Sequence, residues 1–83
     1  MLDYEISDHA KEEMESSNIS EDEVKACLEH GSLEIKQFVR GELRYGKKLE
    51  FKDKTIIVIY TKIKDKIRVI TTYPIRRKKW HQK

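Results

Sequence analysis

One early histidine is the residue of this 83-residue sequence best suited to acid–base chemistry. His9 follows Ser7 and Asp8, a pattern typical of a helix start, so its imidazole should lie exposed in a first helical turn. An exposed imidazole can accept or donate a proton near neutral pH. A single surface histidine is also often incidental, so type and position make His9 a candidate and no more.

Basic residues interleaved with aromatic ones fill the second part of the chain. This mixture suits a nucleic acid, because cations neutralise phosphates and flat rings stack on unpaired bases. The alternative is that these charges only keep an exposed sheet face soluble. The residues predicted to contact RNA are Lys36, Arg40, Arg68, Arg76, Arg77, Lys78, Lys79 and Trp80.

The charge is distributed unevenly along the chain. Residues 1–31 carry ten Asp and Glu against two Lys, a net charge of −8, whereas residues 32–83 carry sixteen Lys and Arg against five acids, a net charge of +11. A positive field attracts polyanions and speeds their encounter with the protein. Any nucleic acid is therefore expected to bind the second part of the chain.

Metal or cofactor chemistry has little basis in the sequence. Cys27 and His30 stand three residues apart on one predicted helix, but the second ligand pair of a zinc site is missing, and Cys27 falls on an apolar stripe. The sequence also has no glycine-rich phosphate loop and no nucleophile elbow. We predict neither a metal site nor a small-molecule cofactor.

The expected compartment is the cytoplasm. A single cysteine forms no internal disulfide, and the opening residues MLDYEISDHA hold neither a basic leader nor the apolar stretch of a signal peptide. The longest apolar run, residues 56–60, is far shorter than the ~20 residues that span a bilayer. We expect no membrane partner.

Two helices are predicted in the acidic first part. Ser7 is the predicted N-cap of a helix over residues 8–17. The second helix should start at Ser20, which forms a capping box with Glu23, and Gly31 is suited to the left-handed position that ends a helix. Ile19 can staple onto Val24, and the apolar stripe of the second helix is Val24, Cys27 and Leu28.

After Gly31 the apolar period changes from helical spacing to two. We predict strands near residues 33–40, 42–51, 55–61 and 67–73, with Pro74 ending the last one. Short turns between them imply an antiparallel meander. The predicted fold is α+β, with two N-terminal helices packed on one face of a four-stranded antiparallel sheet. Residues 1–75 form this single domain, and residues 76–83 form a basic tail.

Alternation along the second predicted strand separates a core face from a basic face. Leu43, Tyr45, Leu49 and Phe51 share one face, and Arg44 and Lys48 lie on the other. The residues predicted to line this open face are Lys36, Phe38, Arg40, Arg44, Lys48 and Arg68.

The order of these signals resembles a small prokaryotic family known as domain of unknown function 4258. The residues that carry the resemblance are Ile6-Ser7-Asp8-His9-Ala10, Met14, Ile19-Ser20, Val24, Leu28, Gly31 and Val69-Ile70-Thr71-Thr72-Tyr73-Pro74. An Arg and a Gly usually precede the Ile in that family, and this chain has Ser17 and Asn18 there. The family is similar to the barnase, EndoU, colicin and RelE-type fold group, whose members are metal-independent ribonucleases and toxins.

The resemblance implies a RelE-like two-layer fold and a toxin-type ribonuclease that cleaves mRNA without a metal. His9 would match the family's histidine and act as general base or acid, Arg44 and Lys48 would stabilise the phosphorane, and Tyr73 would orient or donate a proton. The expected partners are RNA, single-stranded or ribosome-bound, and an antitoxin protein. The alternatives are a non-catalytic RNA- or DNA-binding module and a protein-interaction domain of a toxin–antitoxin-like pair.

Overall fold

The computed structural model describes residues 3–75, and its first helix begins where a capping residue places it. Helix α1 spans Asp8–Ser17, and the Ser7 hydroxyl accepts a hydrogen bond of 3.1 Å from the Ala10 N–H. Ala10 and Met14, which are four residues apart and so share a face of the helix, are buried. The prediction for this helix is confirmed.

Helix α2 spans Glu21–His30 and carries the predicted capping box. The Ser20 hydroxyl accepts from the Glu23 N–H at 3.1 Å, and the Ser20 N–H donates to the Glu23 carboxylate at 2.9 Å. Ile19 and Val24, the predicted staple, are both buried in the core. Ser20 is thus the N-cap, and Glu21 is the first helical residue.

Asn18 makes the break between the two helices. Its φ of 57° lies in the left-handed region, and its N–H caps α1 by donating to the carbonyls of Met14 and Glu15. Asparagine adopts this conformation more readily than most residues, because its short amide can form local hydrogen bonds. Asn18 therefore occupies the left-handed position after a helix, where glycine is the most common residue.

Five strands form one sheet in the order β1-β5-β4-β3-β2. The last four form the predicted antiparallel meander, with ends that differ from the prediction by three residues or fewer, so the α+β class is confirmed. The strands are β1 (Tyr4–Ile6), β2 (Ser32–Val39), β3 (Glu42–Glu50), β4 (Thr55–Ile63) and β5 (Lys66–Ile75).

Strand β1 shows that the prediction of four strands, all antiparallel, is wrong. It pairs in parallel with β5, with Tyr4 opposite Ile67 and Ile6 opposite Val69. Three residues are too few to display a two-residue period, so no strand signal precedes α1. Both helices and three strands separate β1 from β5 along the chain, so no short hairpin forces the pair to be antiparallel.

The prediction that Pro74 ends the last strand is also wrong. Strand β5 continues through Pro74, opposite Ile56, to Ile75. Strand β1 pairs only with residues 67–69, so beside Pro74 the other side of β5 has no strand among residues 3–75. Proline is tolerated at such an edge, because its missing N–H removes no ladder hydrogen bond.

Gly31 is required for a reason other than the predicted one. Its φ of −71° and ψ of 161° are extended, so the left-handed prediction is wrong. A Cβ at this position would lie 2.5 Å from the carbonyl oxygen of Cys27 and 2.9 Å from that of Lys48. The close approach of β3 to the end of α2 leaves no room for a side chain.

The core lies between the two helices and one face of the sheet. Two buried threonines donate hydrogen bonds within the sheet: Thr61 donates to the Leu43 carbonyl at 2.9 Å, and Thr72 donates to the Ile57 carbonyl at 2.8 Å. No helix within residues 3–75 is long and apolar enough to cross a membrane. The core side chains are Ala10, Met14, Ile19, Val24, Cys27, Leu28, Ile56, Val58, Tyr60 and Val69.

Candidate functional site

The register of the sheet places five polar residues in one row across all five strands. Gln37 is opposite Arg44, Arg44 opposite Thr61, Thr61 opposite Arg68, and Arg68 opposite Glu5. Directly opposed residues share a face of the sheet. Arg44 and Arg68, which the sequence assigned to catalysis and to RNA binding, therefore lie on the same face with one strand between them, about 10 Å apart at their Cα atoms.

A β-bulge brings the first turn of α1 to the end of this row. Tyr60 pairs with Val69 and Ile59 with Thr71, which leaves Ile70 as an extra residue in β5. The Ser7 N–H donates to the Val69 carbonyl and the Ser7 hydroxyl to the Ile70 carbonyl, both at 3.0 Å. The N-cap of α1 is thus fixed on the bulge, two residues before His9.

His9, Arg44 and Arg68 line one cavity of about 280 Å³. They come from α1, β3 and β5, and His9 and Arg68 are 59 positions apart in the chain. One imidazole and two guanidinium groups at a shared cavity form a combination suited to a phosphodiester. The remaining lining residues are Ser7, Glu42, Thr61 and Ile70.

Each arginine has a glutamate carboxylate beside it. The Arg44 Nε donates to the Glu42 carboxylate at 2.9 Å, and the Arg68 Nε lies 3.7 Å from the Glu5 carboxylate, which also pairs with Lys66 at 3.4 Å. A guanidinium has five N–H donors, so one carboxylate contact leaves donors for an anion. The carboxylates reduce the local positive charge, and the hydrogen bond to Glu42 also orients the Arg44 guanidinium.

Glu42 is the site residue that the sequence reasoning missed. It lines the cavity, and its carboxylate is the one acidic side chain in this lining. The signal was present in the spacing, because Glu42 and Arg44 are two residues apart in a strand and so share a face.

Lys48 and Tyr73 are not part of this cavity. They flank Ile57 in another row of the same sheet face, where Lys48 is opposite Ile57 and Ile57 is opposite Tyr73. Lys48 is four residues from Arg44 along β3, about 13 Å. Of the four predicted catalytic residues, His9 and Arg44 are brought together, whereas Lys48 and the 39% exposed Tyr73 form a separate pair.

The prediction that Lys36, Phe38 and Arg40 lie on the face of Arg44 is wrong. Lys36 is opposite Tyr45, and Phe38 is opposite Leu43. Both therefore lie on the face of the sheet against which the helices pack. Arg40 is in the turn, where its φ of 52° and the φ of 81° at Gly41 are typical of the two-residue type I′ hairpin. The other predicted RNA contacts, Arg76, Arg77, Lys78, Lys79 and Trp80, lie outside the described residues.

A larger cavity of about 520 Å³ lies at the other end of the sheet and contains none of the predicted catalytic residues. Ser17, which stands where the resemblance led us to expect an arginine, is in its lining. Lys54 also lines it, but the Lys54 ammonium is bound to the Glu23 carboxylate at 2.9 Å and to the Asn18 carbonyl at 2.6 Å. The lining is Ser17, Phe51, Lys52, Asp53, Lys54, Thr55, Pro74 and Ile75.

Cys27 is placed as a core residue. It is fully buried, its thiol donates to the Lys47 carbonyl at 3.2 Å, and burial raises the pKa of the Cys27 thiol to about 11. A protonated, inaccessible thiol is a poor nucleophile and a poor metal ligand. Within residues 3–75, no group of three or more His, Cys, Asp or Glu side chains is arranged to hold a metal ion.

Comparison with known proteins identifies the family. A family model described as domain of unknown function (DUF4258) matches residues 6–74, a span that includes both helices and most of the sheet. No curated protein and no solved structure matches the chain significantly. Since the match covers most of the 83 residues, the chain belongs to the DUF4258 family.

Proposed function

We propose that this protein is a toxin-type ribonuclease that needs no metal ion, with the cavity of His9, Arg44 and Arg68 as its active site. The observation that carries the proposal is the convergence of these three side chains, from distant parts of the chain, on one cavity. The proposal includes the finer fold assignment, a RelE-like arrangement of helices and sheet, and an antitoxin protein as partner.

The cavity supplies the groups that RNA cleavage by internal transfer requires. The 2′-hydroxyl attacks the adjacent phosphorus, and the bond from phosphorus to the 5′-oxygen breaks. The products are a 2′,3′-cyclic phosphate and a 5′-hydroxyl. His9 and Glu42 would divide the two proton transfers, one taking the proton of the 2′-hydroxyl and the other giving one to the departing 5′-oxygen.

Arg44 and Arg68 would hold the phosphate and stabilise the charge of the phosphorane. Guanidinium groups suit this role, because they are always charged and bind oxyanions through paired N–H donors. The hydrogen bond from the Arg44 Nε to Glu42 orients that guanidinium before the substrate arrives, and Arg68 lies beside the Glu5 carboxylate. Lys48 and Tyr73 would contact the RNA beyond the scissile bond, the lysine with a phosphate and the exposed ring with a base.

The test is cleavage of single-stranded RNA by the purified full chain in the presence of a chelator. We expect His9→Ala to reduce the rate about 10²- to 10⁴-fold with the fold and the RNA affinity retained. The matched control is His30→Ala, because His30 is also exposed on a helix but lies at the end of α2. Failure of the wild-type protein to cleave RNA under any condition, including added magnesium, would refute the proposal.

A nucleic-acid-binding module without catalysis is the second candidate. The row of Lys48, Ile57 and Tyr73 favours it, because a cation and an exposed ring on the same sheet face, one strand apart, suit the binding of a nucleic acid and supply no proton transfer. RNA affinity that is lost in Lys48→Ala with Tyr73→Ala, in a protein that cleaves nothing, would establish this candidate. A protein-interaction domain would instead show no RNA affinity at low salt.

A further inference from the structure

Strand β2 is an edge of the sheet that has no neighbour on its outer side within residues 3–75. It is eight residues long, and Leu33 and Phe38 are exposed by 53% and 73%. An edge of this length with exposed apolar side chains is a template for pairing with another strand. The opposite edge differs, because β1 has only three residues and its Glu5 is paired with Lys66 and Arg68.

The sequence of β2 complements itself about Gln37. In an antiparallel pair with Gln37 of both copies on the two-fold axis, Lys36 would face Phe38 of the second copy, and Ile35 would face Val39. One step further out, Glu34 at the β-bulge and Arg40 in the turn would come close to each other. The pairs are thus a cation with an aromatic ring, two aliphatic side chains, and two opposite charges, all of which stabilise a strand pair.

The faces of the sheet on which the β2 residues lie are consistent with this alignment. Ile35 and Val39 lie on the face of Gln37 and Arg44, whereas Lys36 and Phe38 lie on the face of Tyr45 and the helices. Residues opposed across a strand pair must share a face, and the two pairs within the regular part of β2, Lys36 with Phe38 and Ile35 with Val39, both do. The β-bulge of β2 lies between Leu33 and Ile35, so residues 35–39 keep a regular alternation.

We propose that two copies of this chain associate through antiparallel pairing of β2, centred on Gln37, into one continuous ten-stranded sheet. The inference is independent of the proposed ribonuclease activity. A two-fold axis makes the contact isologous, so the assembly closes as a dimer and does not extend into fibres. A single strand pair buries less surface than a standard protein interface, so we expect dissociation in roughly the micromolar range.

The dimer would also join the two candidate sites. Gln37 belongs to the row that contains Arg44, Thr61 and Arg68, so the rows of both copies would become one row across the sheet. The two Arg44 residues would be three strand spacings apart, about 14 Å. One extended polyanion could then contact both sites along the same face.

Disulfide trapping tests the alignment directly. Opposed residues of an antiparallel pair have Cα atoms about 4.5 or 5.5 Å apart, both within the range that a disulfide bridges. Gln37→Cys should give a covalent dimer under mild oxidation, and Cys27 should not interfere because it is buried. The control is Lys25→Cys, exposed on α2, which should stay monomeric. Equal cross-linking of the two variants, or none in either, would overturn the proposal.

Charge exchange at the ends of the pair supplies a second readout, by sedimentation of the full chain over a range of concentrations. Glu34→Arg and Arg40→Glu should each weaken association about two- to fivefold, because like charges would face each other. The double variant should recover the wild-type dissociation constant, because the opposite charges are restored in exchanged positions. A wild-type protein that is monomeric at every concentration, or a double variant weaker than both single ones, would refute the dimer.

Discussion

Glu23 and Lys54 form an ion pair of 2.9 Å that connects the capping box of α2 to the loop between β3 and β4. The two side chains are only 22% and 17% exposed. The same ammonium donates to the Asn18 carbonyl at 2.6 Å, at the break between the helices. Lys54 therefore connects the end of α1 and the start of α2 to the loop between β3 and β4.

This pair should make stability depend on pH in the acid range. Desolvation opposes the charge, but the hydrogen bonds from Lys54 and from the Ser20 N–H outweigh it and lower the pKa of Glu23. A lowered folded-state pKa adds stability above the unfolded-state value, and this stability is lost as pH falls through the folded-state value. Glu23→Gln should lower the free energy of unfolding by about 1 kcal/mol at neutral pH. Urea denaturation at a series of pH values should show the difference from wild type disappearing in acid, and a constant difference would contradict the prediction.

Gly31→Ala should be among the more damaging single substitutions. The new Cβ would meet two backbone oxygens, those of Cys27 and Lys48, and backbone cannot move aside as a flexible side chain can. We expect a loss of about 1–3 kcal/mol in the free energy of unfolding. The control is Gly41→Ala, where the Cβ meets open space and only the positive φ costs stability, about 1 kcal/mol. Equal losses in the two variants would show that the contact at Gly31 is relieved by movement.

Glu42→Gln should change the pH dependence of RNA cleavage more than the affinity for RNA. Glutamine retains an oxygen that can accept from the Arg44 Nε, so the guanidinium should stay in place, but an amide cannot exchange a proton near neutral pH. We expect kcat to fall about 10²-fold and the pH–rate profile to lose one limb. Single-turnover rates at several pH values provide the measurement. A variant with a normal profile and weaker RNA binding would assign Glu42 to positioning alone.

RNA affinity should fall steeply with salt, and removal of residues 76–83 should flatten the dependence. The chain after residue 31 carries a net charge of +11, and the removed segment contains five of its sixteen basic residues. Each phosphate contact with a single strand that is lost reduces the slope of log K against log salt by about 0.7 units. Fluorescence anisotropy with a labelled single-stranded RNA can measure both slopes. Identical slopes would mean that the tail does not contact RNA.

Local signals explain what the sequence predicts well. The cap at Ser7 and the capping box of Ser20 and Glu23 involve residues three apart, so the helix starts follow from the residue types alone. The face of the sheet on which Lys36 lies could also have been predicted from the sequence. The two-residue turn at Arg40 and Gly41 places Val39 opposite Glu42, and counting back from that pair places Lys36 opposite Tyr45.

Features that depend on contacts between distant parts of the chain could not be predicted from the sequence. The parallel position of β1 depends on hydrogen bonds to residues more than sixty positions later, and three residues carry no period of their own. The convergence of His9 with Arg68 depends on the bulge at Ile70, an irregularity that no residue type in β5 signals. Individual residues of the cavity could therefore be predicted from the sequence, but which of them lie together in the fold could not.

The pairing of β1 with β5 has a consequence for the order of events during synthesis. His9 is synthesised first, whereas Arg68 and the carbonyls that hold Ser7 in place are synthesised about sixty residues later. The helices can form from local contacts on the emerging chain, but the contacts between β1 and β5 have the largest sequence separation in the sheet and must wait. An incomplete nascent chain that stops before residue 67 therefore lacks the assembled cavity. If the cavity cleaves RNA, its activity begins only when translation of the domain is nearly finished, so the ribosome that makes the protein is protected from it for most of that time.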